Sequence, residues 1–97
     1  MPMPLTIVAV FQANPGREED LSRELQELVA PTRAEAGCLN YDLHRDLEVP
    51  GRFLFYENWE TRSNWEAHME SDHLRRHRET SDALVAKVEI FQMEGTD

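Results

Sequence analysis

Apolar and polar positions change their period several times along this chain, and each change marks an element. Leu5 to Ala13 is rich in β-branched and aromatic residues and ends at Asn14-Pro15-Gly16, a turn signal, so it predicts a strand. From Arg17 the period becomes helical: Leu21, Leu25, Leu28 and Val29 form one apolar stripe, with Glu18, Glu19 and Asp20 in the first turn, where a helix favours negative charge. Pro31 either kinks this helix or opens a second short segment, Thr32 to Ala36, which Gly37 stops. Cys38 to Asp46 then alternates, with Leu39, Tyr41 and Leu43 on one face and Asn40, Asp42 and His44 on the other.

A tight connection over Leu47 to Gly51 leads into a strand from Arg52 to Trp59, so the pair reads as a β-hairpin. Thr61 or Ser63 caps the next helix, and Ser63 with Glu66 fits a capping box. Ser71 and Asp72 offer a second start, for a helix from about His73 to Leu84. Val85 to Met93 alternates again as the last strand.

The order β-α-β-β-α-α-β predicts an α+β, ferredoxin-like sandwich, four strands with helices on one face. On the first and last strands both alternating sets contain apolar residues: Leu5, Ile7 and Phe11 against Val8 and Val10, and Val88 and Ile90 against Phe91 and Met93. Two apolar faces with helices enough for one predict a homodimer formed sheet to sheet.

Ninety-seven residues support one hydrophobic core and therefore one domain. A composition 40% hydrophobic and 30% charged places the chain among globular proteins rather than disordered ones. The formal net charge of -9 argues against nucleic acid or an anionic membrane as partner. The basic cluster Arg75, Arg76 and Arg78 stands beside Glu79 and Asp82 and reads as a solvated helical face. Cys38 is alone, which rules out an intrachain disulfide or a cysteine-based zinc site. It reads as a small, half-buried strand residue. No signal peptide or long apolar run is evident, so the cytoplasm is the expected location.

The candidate chemistry is concentrated between Tyr56 and His77, where aromatic and titratable side chains meet at a strand-to-helix junction. Trp65, His68 and Met69 share a helical face, on which Trp65 would be a stacking wall and His68 a general acid or base. Spacing alone favours a plain structural role, with Trp65 and Met69 in the core and His68 a hydrogen-bonded residue at its edge. His73 and His77 have the i, i+4 spacing that presents two imidazoles to one metal, with His68 or Glu57 available as a third ligand. No signature of a metal enzyme surrounds them, and no metal is expected. Glu57 continues an aromatic row with Phe53, Phe55 and Trp59, so it is either desolvated and fit for proton transfer or tied to Arg45, Arg52 or Arg62, with the structural pairing favoured. Asn40, Asp42 and His44 make a polar strand face that could line an interface, a pocket mouth or solvent. The chain has no glycine-rich phosphate loop, serine elbow or nucleotide fingerprint, so nothing supports a cofactor.

The segments Gly37 to Asp46 and Pro50 to Glu60, with Ala67-His68 and Asp72 to Leu74, resemble the antibiotic biosynthesis monooxygenase domain, in particular its small quinol-monooxygenase-like branch. The resemblance covers nearly the whole chain. It implies a ferredoxin-like subunit forming a dimeric α/β barrel, and oxidation of a quinol or phenolic aromatic by O2 without metal, flavin or haem. It also implies His68 and Glu57 as base candidates, Tyr56, Trp59 and Trp65 as walls and Asn40 as a polar anchor. Haem-cleaving relatives use a first-strand Asn and helical Trp and His residues. Here the first-strand position holds Ala9 and the Trp position holds His68, which argues against haem. An isomerase of the same superfamily carries histidines at positions like His68 and His73, which adds His73 to the candidate substrate contacts. Three functions therefore stand: a cofactor-independent monooxygenase, an isomerase acting on a small phosphorylated carbonyl compound, and a non-catalytic small-ligand-binding dimer. The last expects His68 and Glu57 to face away from any cavity.

Overall fold

A computed structural model describes residues 4–97. The elements run β1 (Leu5–Ala13), α1 (Glu18–Glu27), α2 (Val29–Arg33), β2 (Cys38–Arg45), β3 (Arg52–Trp59), α3 (Arg62–Met69), α4 (Asp72–Ser81) and β4 (Val85–Met93). The strands form one antiparallel sheet in the order β2-β3-β1-β4, the ferredoxin-like arrangement.

Register fixes which residues face the helices. Ile7 is opposite Glu57, Ala9 opposite Phe55 and Phe11 opposite Phe53. These point into the core, where Leu21, Leu25 and Leu28 deliver the α1 stripe. The helix breaks at Leu28, and Pro31 falls in the first turn of α2, where its missing N–H costs nothing. Thr32, one residue on, is fully buried. Gly37 turns the chain into β2 at φ 79°, and a Cβ there would lie 2.1 Å from the Asn64 side chain, so both backbone and space require glycine.

Three local expectations are corrected. Leu39 does not join Tyr41 and Leu43 on the inner face. The register with β3 slips between Cys38 and Asn40, a bulge that places Leu39 outside at 52% exposure. The Ser63–Glu66 capping box is not used, because Thr61 takes the extended N-cap conformation and its hydroxyl accepts from Asn64 N–H. The fourth helix starts at Asp72, capped by Ser71, and ends at Ser81, short of Leu84.

The opposite sheet face carries Val8, Val10, Leu54, Tyr56, Phe91 and Met93, and among the described residues no helix lies over it. Strand β4 is exposed on both sides: Val88 and Ile90 on the helix side, Phe91 and Met93 on the open side. Among the described residues no helix is long and apolar enough to cross a membrane.

Candidate functional site

A cavity of about 420 Å³ lies between the helix layer and the inner face of β1, β3 and β4. Its walls are largely apolar, with Ile7, Ala9, Tyr41, Phe55, Trp65 and Ile90 among them. Glu57 and His68 stand in this lining, and His77, Arg78, Asp82 and Lys87 also border the space.

Glu57 reaches the wall because β3 alternation places it inward beside Phe55, and it is 3% exposed. No arginine meets it. Arg52 pairs with Asp46, Arg62 with Gln92, and Arg45 reaches Ser22 and Glu19. The expected arginine pairing therefore gives way to the desolvated alternative. Its one side-chain partner among the described residues is Trp59, whose Nε1–H donates to Oε1 at 3.0 Å. Burial raises the Glu57 pKa to about 7, the Trp59 bond opposes the shift, and the Glu35 charge adds to it.

His68 is buried where α3 packs on the sheet, with Trp59 at 4.9 Å and Tyr41 at 5.5 Å between ring centroids. Its Nδ1 is 2.7 Å from Glu35 Oε2, which leaves Nε2 as the nitrogen able to meet a ligand. Burial holds the His68 pKa below its ordinary value, against the opposing pull of Glu35, so the ring is neutral at pH 7. Tyr41 is driven well above its usual range by burial and the Glu57 charge and stays a phenol. The Cys38 thiol is likewise pushed up by burial, which leaves it without an activated thiolate.

The other candidates are distributed unevenly. Trp65 lines the cavity; Trp59 is fully buried outside its lining and touches the site through its hydrogen bond to Glu57. Asn40 and Tyr56 are on the open sheet face, because each is an odd number of residues from the inward-facing Tyr41 and Glu57. There Asn40 donates to the Tyr56 carbonyl at 3.0 Å and accepts from Asn58. His73 does not reach the cavity and does not share a centre with His77. His73 bonds Glu35, whereas His77, one turn further along α4, meets Glu24 of α1 at 3.3 Å. Sequence reasoning missed Glu35 and Glu24, since two carboxylates among nineteen acidic residues carry no local signature.

The sequence matches the antibiotic biosynthesis monooxygenase family over residues 4–80. The chain belongs to this family. The crystal structure of PA3566 from Pseudomonas aeruginosa superposes with a TM-score of 0.95 at 42% identity, covering 100% of this chain and 98% of that one. Rv0793 from Mycobacterium tuberculosis superposes with a TM-score of 0.89 at 27% identity, over 97% of this chain and 96% of that one. Rv0793 is provisionally named a monooxygenase. A curated relative from Synechocystis, sll1783, is 26% identical over 96 residues, and the match covers 96% of this chain and 65% of that longer protein. Family membership and the name given to Rv0793 support a general monooxygenase role.

Proposed function

We propose that this chain is a cofactor-independent monooxygenase that oxidises a small quinol-like or phenolic aromatic with O2. The observation that carries the reading is the pairing, in one apolar cavity, of a neutral imidazole with a carboxyl group that titrates near pH 7. A space of about 420 Å³ suits one small aromatic. His68 Nε2 takes the phenolic proton and leaves the electron pair on the substrate oxygen. The electron-rich anion reduces O2 by one electron, and the radical pair recombines as a carbon-bound hydroperoxide. Loss of the ring hydrogen with O–O cleavage then releases water and leaves a carbonyl, so the quinol loses two hydrogens and gains one oxygen. Glu57, oriented by Trp59, stands ready to supply the proton needed at the departing oxygen. The apolar walls keep bulk water from the intermediates.

The same reading includes a homodimer joined through the open sheet face, supported by the uncovered apolar row there and by β4 being exposed on both sides. The non-catalytic alternative expects His68 and Glu57 turned away from any cavity, and both stand in its wall. The isomerase alternative keeps one favourable observation, the presence of Arg78 and Lys87 beside the cavity, where an anionic group would bind. It demands turnover without oxygen.

An oxygen electrode with a panel of quinols tests the proposal. Uptake above autoxidation is expected, with His68→Ala lowering it about a hundredfold or more while the circular dichroism spectrum is kept. Uptake equal to autoxidation for every quinol would sink the oxygenase reading.

A further inference from the structure

Behind His68, away from the cavity, three segments converge on one carboxylate oxygen. Glu35 sits in the turn between α2 and β2, and its Oε2 is 2.7 Å from His68 Nδ1 and 3.0 Å from His73 Nε2. Thr32 Oγ1 and Ser71 Oγ approach the same His73 nitrogen at 3.2 Å and 3.4 Å. Neither Glu35 nor His73 lines the cavity, and their side chains are 17% and 18% exposed against 3% for His68. A carboxylate and a second imidazole thus stand between the base and the surface.

Two imidazoles and a carboxylate with donor atoms within 4.8 Å of one another would also suit a divalent metal. The geometry favours hydrogen bonding. Both ring nitrogens sit at charge-assisted hydrogen-bond distances from one oxygen. Two hydroxyls also crowd the His73 nitrogen, whose lone pair a metal would need.

We propose that Glu35 is the positioning residue of this site: it fixes His68 as the tautomer with Nδ1–H toward the carboxylate and Nε2 free toward the cavity, and it stabilises the imidazolium formed when Nε2 takes the substrate proton. The proposal rests on the reading of His68 as the base. His73, bonded to the same oxygen, draws on the charge that Glu35 offers His68. The titratable and charged groups around His68 are Glu35 from the α2–β2 turn, Tyr41 from β2, Glu57 in the same cavity lining, and His73 and Arg78 from α4; of these Glu35, His73 and Arg78 set the balance. Glu35 holds the His68 pKa up, while burial, His73 and Arg78 push it down. Removing the Glu35 charge therefore lowers it.

Long-range proton–nitrogen NMR on histidine-labelled protein tests this without substrate. At neutral pH His68 is expected as the Nδ1–H tautomer, and in Glu35→Gln its titration moves to lower pH. With a quinol that the wild type oxidises, Glu35→Gln is expected to lower kcat about ten- to a hundredfold with KM within about twofold. The acid limb of the rate profile should move to lower pH, and Glu35→Asp should restore part of the rate. An Nε2–H tautomer in the wild type, or an unmoved His68 titration in Glu35→Gln, overturns the proposal. So does loss of the Nδ1 proton on adding one equivalent of Zn2+ alone, which would assign the three residues to a metal. If Glu35→Gln fails to fold, the wild-type tautomer and the Glu35→Asp titration decide. If the wild type oxidises no quinol, the oxygenase reading fails and the NMR result still judges the dyad.

Discussion

On β3, Leu54 and Phe55 are neighbours in sequence and face opposite sides of the sheet. Phe55 is stacked on Tyr41 at 4.4 Å and meets Phe11 edge to face at 6.0 Å, under the helices. Leu54 shares the open face with Val10 and remains half-buried. The two faces hold similar apolar residues, and they differ in what covers them. Where helices close the sheet, Glu57 and His68 lose water, which raises the carboxyl pKa and lowers that of the imidazole. On the open face polar side chains bond one another across the strands. Thr6 Oγ1 donates to Asn58 Oδ1 at 2.6 Å, and Asn58 Nδ2 donates to Asn40 Oδ1 at 2.9 Å. Chemistry is therefore expected on one side and association on the other.

The largest test of that contrast is a pair of truncations. Phe55→Ala should cost about 3–5 kcal/mol, because it opens a void among packed rings. Leu54→Ala should cost the isolated subunit about 1 kcal/mol, with a further loss that depends on protein concentration if a second copy covers it. Urea denaturation at two concentrations separates these terms. Equal costs that do not depend on concentration would erase the distinction between the faces.

A smaller effect comes from Glu57. Its folded pKa of about 7 lies above the ordinary carboxyl value of 4.5, so the folded state holds a proton that the unfolded chain releases. Stability from this group is complete below pH 4.5 and is lost as the pH rises to about 7, a cost on the order of 3 kcal/mol above that range. His68 and His77 act in the opposite sense. Both are held below 6.5, so they take stability away as the pH falls through 6.5. Glu57→Gln keeps an acceptor for Trp59 and should flatten the carboxylate part of the profile, raising stability at pH 8 and leaving it unchanged at pH 4. An unchanged difference between pH 4 and pH 8 would mean that Glu57 is solvated.

Much of the fold was legible because alternation and the α1 stripe are local signals: all four strands and their order can be read from period changes and turn residues. Leu39 was misplaced because a bulge leaves no mark on the alternation it shifts. Of the site, His68, Trp65 and Glu57 were candidates by residue type, but spacing alone favoured plain structural roles for them, and the family resemblance is what raised them. Asn40 and Tyr56 were plausible polar and aromatic neighbours in sequence, but a strand sends adjacent residues to opposite faces. Glu35 was invisible because its meeting with His68 depends on where the α2–β2 turn lands against α3, a tertiary fact. The same holds for Glu24 and His77, which join α1 to α4.

The smallest expected effect on the subunit itself is on β4. Phe91 is 41% exposed on the open face opposite Val8, so Phe91→Lys should change the stability of a lone subunit by no more than about 0.5 kcal/mol. Its effect on assembly should be much larger. A lysine placed in the middle of an apolar row buries an unpaired charge whenever a second sheet docks there, and the dimer should dissociate. Sedimentation of wild type and variant reads this directly. A wild-type monomer would remove the open face as an interface, and a variant dimer of undiminished affinity would move the interface elsewhere. Val88 and Ile90 on the other side of the strand sharpen the result, because they line the cavity and are not covered by the helices of their own chain. If dissociation by Phe91→Lys also lowers quinol oxidation, the cavity needs the partner to hold β4 in place. If the monomer keeps its full rate, each subunit closes its own site.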